Sequence, residues 1–291
     1  MKNKIKTLGT DIFSKKHDFN GKCSDMLQYF IVEFEVFSHG SNGKRKNIDV
    51  YKLYITREAD KYICKRLLFQ HNDKPEVSIP SLADWSYSFD AKLLNKEGID
   101  EQGLMLGISH TKFENLVDST GAKASIEAQY QVYSAFSYFH TWCNMIPEVY
   151  AKDLKKIGDM LINDLSEVES PVNLGSKFLS GSKFMHGIET IEFRGLSIID
   201  DTICAIVGLD ERGGGYIMNM KPMPVLKVKT VGGTRYLGDI YIELDSLQVK
   251  KVNASVIDIT KTTMYGMPVD ITIPVTTITI KSVSKNVFDK E

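Results

Sequence analysis

Residues 188–283 read as one long antiparallel meander, and no other stretch restricts the possible fold as strongly. Apolar or alternating segments at 191–193, 202–209, 225–229, 238–244 and 276–283 are punctuated by turn chemistry. The punctuation falls at Asp200 and Asp201, at 212–215, at Gly232 and Gly233, at Asp245 and Ser246, and at Tyr265 and Gly266. Alternation places successive side chains on opposite faces of a strand, so such a run builds a sheet strand by strand.

The N-terminal third adds strands of its own. In 29–37, Val32, Phe34 and Val36 alternate with Glu33 and Glu35, a half-buried strand with one wet face. A turn cluster at 39–44 containing Asn42 and Gly43 leads to renewed alternation at 50–56, and this predicts a β-hairpin. Residues 62–69 supply a third strand, ended by the polar run 71–75. Residues 1–23 are polar, with Leu8, Ile12 and Phe13 as apolar anchors, and predict a short helix or a draped arm.

Between Pro80 and Gly121 periodicity weakens, aromatic residues mix with Gly98, Gly103 and Gly107, and a connection of this length points to a functional role. A helix is predicted from Ser125, a good N-cap with Glu127 in the first turn, to Ile146, with Pro147 as its stop. Ile126, Tyr130, Tyr133, Phe136, His140 and Cys143 form one stripe of it; Val132, Ala135, Phe139, Trp142 and Ile146 form another. A helix apolar on nearly every side is a buried one. A second, amphipathic surface helix is predicted over 152–168, with Leu154, Ile157, Leu161 and Leu165 on its apolar face.

The expected fold is therefore mostly β (α+β): a large antiparallel meander curled into an open barrel or bent sheet, with a buried central helix and a second amphipathic helix. One domain over 1–291 is expected, made of N-terminal hairpins (25–70), a helical insert (122–170) and the C-terminal meander (183–285). At 291 residues the chain buries about three quarters of its unfolded surface without needing disulfides or a structural metal. This outline resembles lipid and lipoprotein carriers whose half-barrels hold inserted helices, a likeness of layout with no shared motif.

Charge excludes several partners. Lys and Arg number 36 against 37 Asp and Glu, a formal charge of −1, so no net field draws nucleic acid or anionic membranes. No stretch approaches the roughly eighteen apolar residues of a membrane span. Cys23, Cys64, Cys143 and Cys204 are scattered without metal-binding spacing, which fits reduced thiols in a cytoplasmic protein if Met1 is the native start. Removal of a signal peptide would instead make the protein secreted or periplasmic.

Few residues suggest chemistry. His140 and Cys143 lie three apart on the helix and could give two metal ligands, but the pair by itself makes no site, and a packed core histidine, hydrogen-bonded beside a buried thiol, is the preferred reading. His110, near Asp118 and Ser119, could act as an acid or base, as could His140. The run from Asp118 to Gly121 is read as a turn. The glycine runs at 213–215 and 232–233 lack the Lys-Ser or Lys-Thr pair and following helix of a phosphate loop, and are read as hairpin turns. No cofactor is implied.

The remaining signal is aromatic and thioether content. Tyr130, Tyr133, Phe136 and His140 on the helix, with Met218 and Met220 on the meander, are the candidate ligand-binding residues, because methionine adapts to variable apolar shapes. The leading expectation is binding or carriage of an apolar or amphipathic, lipid-like small molecule between sheet and helix. The alternatives are an enzyme using that cavity with His110 or His140 as acid or base, and a structural or protein-interaction module without a cavity.

Overall fold

The computed structural model describes residues 15–17, 19, 27–39, 44–90, 93, 110–171, 181–223 and 226–291. Cys23 and most of the arm at 1–23 lie outside them, as do much of the 80–121 connection and the side chain of His110.

The strands are β1 (Gln28–His39), β2 (Arg45–Glu58), β3 (Lys61–His71), β4 (Val77–Ser78), β5 (Trp85–Ser88), β6 (Met160–Asp164) and β7 (Glu169–Pro171). They continue with β8 (Lys183–Met185), β9 (Ile188–Ile199), β10 (Thr202–Met223), β11 (Leu226–Glu243), β12 (Val249–Met264), β13 (Asp270–Thr272) and β14 (Pro274–Val283). All join one antiparallel sheet in the order β4-β3-β2-β1-β14-β12-β11-β10-β8-β7, which is open rather than closed. β9 and β8 lie successively along the same edge of β10. The first and last strands, β1 and β14, pair in the middle of this sheet, where Phe34 of β1 stands opposite Ile278 of β14.

Alternation sorts the sheet into two faces. Phe30, Val32 and Phe34 of β1, Leu53 and Ile55 of β2, Val252 and Val256 of β12, and Ile278 and Ile280 of β14 are all buried on the inner face. The central helix lies against it. Ser125 caps that helix by accepting from the Ala128 N–H at 3.1 Å, and Ile126–His140 is α-helical. Tyr138 stacks on Phe34 at 5.7 Å between centroids and Phe139 meets Phe30 edge-on at 5.3 Å. Each fully buried Phe of this kind contributes roughly 1.5–3 kcal/mol.

Pro147 does not stop the helix. Thr141–Tyr150 continues it in wide π turns, closed by the Ala151 N–H on the Ile146 carbonyl, five residues back. A wider turn draws preceding carbonyls away from the pyrrolidine ring, so proline fits inside it.

The second amphipathic helix expected over 152–168 is absent. A single 3₁₀ turn, Ala151–Asp153, is followed by a polar turn in which the Lys155 and Lys156 N–H groups both donate to Asp159 Oδ2 at 2.7 Å. Gly158 there has φ +94°, which a right-handed helix does not admit. Beyond it β6 pairs with β9, Leu161 opposite Ile191, leaving Met160 and Ile162 exposed. The spacing of leucines suited a helix, but carboxylate capping and a neighbouring strand edge decided otherwise.

The meander also departs from expectation at its glycines. Asp200 and Asp201, with φ 47° and 61°, do make a hairpin turn, as do the residues around Asp245 and around Gly266. The runs at 212–215 and 232–233 do not. β10 and β11 pass straight through them, with a bulge between Glu211 and Gly214. This bulge shifts parity, so Leu209 and Glu211 before it share the inner face with Gly214, Tyr216, Met218 and Met220 after it.

Gly238 marks a close backbone approach, since a Cβ there would fall 2.6 Å from Ala254 Cβ and 2.7 Å from the Asn253 carbonyl oxygen. Gly238→Ala is expected to lower stability by about 1–3 kcal/mol. Gly233→Ala, where a Cβ meets nothing within 4 Å, should stay within about 0.5 kcal/mol. Urea unfolding of both variants checks the pair, and an equal effect would contradict the packing described.

Candidate functional site

Helix and sheet enclose two regions of different character. Toward β1–β3 and β5 the space is filled. His140 is fully buried, its ring stacked on Phe89 at 4.1 Å between centroids. Tyr87 Oη lies 3.0 Å from Nε2, and Asn144 Oδ1 lies 3.1 Å from Nδ1. An Nδ1–H tautomer satisfies both, donating to Asn144 and accepting from Tyr87. The Asn144 amide donates on to Tyr62 Oη at 2.5 Å, and the chain ends in the Arg57–Glu148 ion pair at 2.9 Å. Burial lowers the His140 pKa to about 3, so the ring is neutral at physiological pH.

Tyr133 and Phe136 belong to the same packed region, at 8% and 0% exposure. Cys143 is also buried, and no cluster of three or more His, Cys, Asp or Glu able to hold a metal occurs among the described residues. The thiols of Cys64 and Cys204 are free and buried, and burial raises them to about 12 and about 11. His110 opens a 3₁₀ turn, His110–Phe113, and Asp118 makes a turn by accepting from the Thr120 and Ala122 N–H groups at 2.8 and 3.0 Å.

Toward β10–β12 the character changes. Tyr130, Ser134 and Tyr138, spaced by four on the helix, present hydroxyls there instead of hydrocarbon. Opposite them the inner face carries Glu211 and Tyr216 on β10, Thr234 and Tyr236 on β11, and Asp258 on β12, with Thr234 directly paired to Asp258. Tyr130, Tyr138, Tyr216, Tyr236 and Asp258 are all only half-buried, as are Met218 and Met220 on the continuation of β10. Tyr138 Oη donates to Tyr236 Oη at 3.4 Å.

Burial raises Asp258 to about 6, against a smaller opposing effect of the Thr234 hydroxyl. That hydroxyl has no other hydrogen-bond partner among the described residues, although its oxygen is sealed from solvent. Burial, with a contribution from the charge of Glu189, raises Glu211 to about 7 against the Gly187 N–H that donates to it at 3.1 Å. Burial, followed by the Asp258 charge, lifts Tyr130 to about 12.

Beside Glu211, His186 Nδ1 stands 3.9 Å from Oε1 and Nε2 lies 2.9 Å from Ser170 Oγ. Serine, histidine and acid fall in the order of a nucleophilic relay. Yet Ser170 is only 1% exposed and the histidine–acid separation exceeds hydrogen-bond reach, so no nucleophile is presented. A groove of about 650 Å³ at the tips of β10–β12 is bordered by Met220, Val228 and Met264 of the inner-face row and by Asn219, Lys229 and Thr263 of the opposite row.

Of the expected ligand-binding residues, the structure thus sets Tyr130, Met218 and Met220 at the half-buried region and Tyr133, Phe136 and His140 in the packed one. Thr234, Asp258 and Glu211 were not singled out by sequence. Their signal is an acid or hydroxyl at a buried parity position, readable along Val252, Ala254, Val256 and Asp258 once the inward parity is known.

No protein-family model matches the chain, and no curated protein matches it. Among solved structures, a Bacteroides fragilis protein with a YmcC-like fold aligns over 89% of this chain and 96% of its own at 10% identity, with a TM-score of 0.19. A likeness at that score carries no argument about this chain. No helix among the described residues is long and apolar enough to cross a membrane.

The two raised acids give stability a definite pH dependence. Their folded pKa values, about 7 and about 6, exceed the ordinary 4.5 and 3.8, so the folded state takes up protons first as pH falls. Their contribution is present at low pH and is lost as pH rises from about 4 through about 7. The double variant Glu211→Gln, Asp258→Asn should lack this contribution, so the stability difference between variant and wild type should favour the variant more at pH 8 than at pH 5. Urea midpoints at the two pH values test this, and a pH-independent difference would contradict it.

Proposed function

We propose that this protein binds an amphipathic small molecule in the cleft between the 130–138 stretch of the central helix and the inner faces of β10–β12. The carrying observation is the contrast across one sheet face. Most side chains on the β1–β3 side are fully buried, with Trp85 and Tyr87 among the partly buried exceptions, whereas partly buried tyrosines, two methionines and an acid line the β10–β12 side. Partial exposure of aromatic rings and thioethers beside polar groups suits a ligand with an apolar body and one polar end. Tyrosine adds an apolar ring with a hydrogen-bonding tip at low conformational cost.

A second reading, a protein-interaction module, draws on the opposite face. Val231, Ile257, Ile259, Ile271 and Ile273 are exposed there, Ile259 at 61% and Ile271 at 68%, and contiguous exposed apolar surface of this kind marks interaction sites.

Nile red fluorescence with the full chain separates the two. Met218→Lys and Tyr130→Ala should each weaken saturable dye binding about tenfold, equivalent to about 1.4 kcal/mol, while Ile259→Glu leaves it unchanged. Loss with Ile259→Glu alone would assign the dye to the outer face, and absence of saturable binding in the wild type would remove the cleft reading.

A further inference from the structure

We infer that the polar end of the ligand is a cation of the alkylammonium type, seated between the Asp258 carboxylate and the rings and hydroxyls of Tyr130, Tyr216 and Tyr236. This rests on the cleft reading above and adds the chemical class of what the cleft takes.

The first ground is charge accounting within the sheet. Several acids on it have cationic partners: Asp210 has Arg212 and Arg235, Asp239 has Arg194, Glu243 has Lys250, and Glu35 has Arg45. Glu148, next to the packed region, has Arg57. Asp258 differs. Besides desolvation, only the Thr234 hydroxyl acts on its carboxyl, and no lysine or arginine does among the described residues. A buried carboxylate without a cation is costly to ionise, so an incoming cation gains there what an internal ion pair supplies elsewhere.

The second ground is the shape of the surroundings. The Asp258 charge is felt by Tyr130 and Tyr138 from the helix, by Tyr216 from β10 and by Tyr236 from β11, so tyrosines approach it from three elements. Aromatic faces attract ammonium groups through the ring quadrupole, and tyrosine hydroxyls accept hydrogen bonds from N–H donors. Glu211, whose charge also reaches Tyr236, adds a second carboxyl on β10, two strands away.

The third ground is independent of charge. Thr234, 6% exposed and paired across the ladder with Asp258, has a buried hydroxyl that acts on the Asp258 carboxyl and whose oxygen accepts no hydrogen bond among the described residues. Buried polar atoms are nearly always satisfied, and a ligand N–H beside Asp258 would supply the missing donor.

The selectivity is testable with three probes that share one tail. Isothermal titration of the full chain with decylammonium, decyl alcohol and decyl sulfate, each below its micellar concentration, should rank the ammonium about tenfold tighter than the alcohol, with the sulfate weakest. Asp258→Asn, nearly isosteric, should bring ammonium and alcohol to equal affinity without changing the alcohol. Equal binding of ammonium and alcohol by the wild type, a preference for the sulfate, or an ammonium preference that survives in a folded Asp258→Asn would each overturn the inference while leaving the cleft reading intact. Failure of all three probes to bind would overturn the cleft reading and the inference with it. The wild-type series decides the sign even if the variant does not fold.

Discussion

A helix that is apolar over most of its circumference has to be covered, and most of this architecture answers that requirement. Water cannot be left against Val132, Phe136, Phe139, Trp142 and Ile146, all at or near zero exposure, without losing the hydrophobic contribution of each. One open sheet supplies the cover, with the N-terminal hairpins β1–β3 and the C-terminal strand β14 meeting beneath the helix. Loss of either half would uncover the helix, so strands more than two hundred residues apart in sequence are bound to one fold by the same buried surface.

Polar groups are admitted to this interior on two different terms. Around His140 every partner is internal. Tyr87, Asn144, Tyr62, Glu148 and Arg57 are linked to it by hydrogen bonds and an ion pair, and a connected network of this kind rigidifies a core. Around Asp258 the terms are open: carboxylates lack cations, a threonine oxygen lacks a donor, and four tyrosines remain partly accessible. The same face of the same sheet therefore carries a finished region and an unfinished one.

Legibility in the sequence followed the range of the interactions involved. Strands β1, β2 and β3, the Ser125 cap and the Asp200-Asp201 turn depend on neighbours within a few residues, and alternation or capping chemistry announces each of them. The segment 152–168 misled because its leucine spacing is compatible with a helix, while Asp159 and the free edge of β9 are the determinants that act. The glycines at 213–215 and 232–233 misled for the opposite reason. Glycine permits a turn, but whether a turn forms depends on cross-strand partners that a linear reading does not see. Tyr130, Met218 and Met220 were legible as adaptable apolar groups, whereas Asp258 and Thr234 look like ordinary strand residues until the ladder sets them together.

Sequence by itself determined the class of the fold, the existence and start of the buried helix, and the neutrality of charge that argues against a polyanionic partner, because periodicity, caps and composition are local or summed properties. Tertiary structure alone decided which residues share a face. The bulge between Glu211 and Gly214 turns Tyr216, Met218 and Met220 inward, and the pairing of β11 with β12 places Thr234 against Asp258. A one-residue change of register would send those side chains to the outer face, and register is a property of paired strands, not of either strand alone.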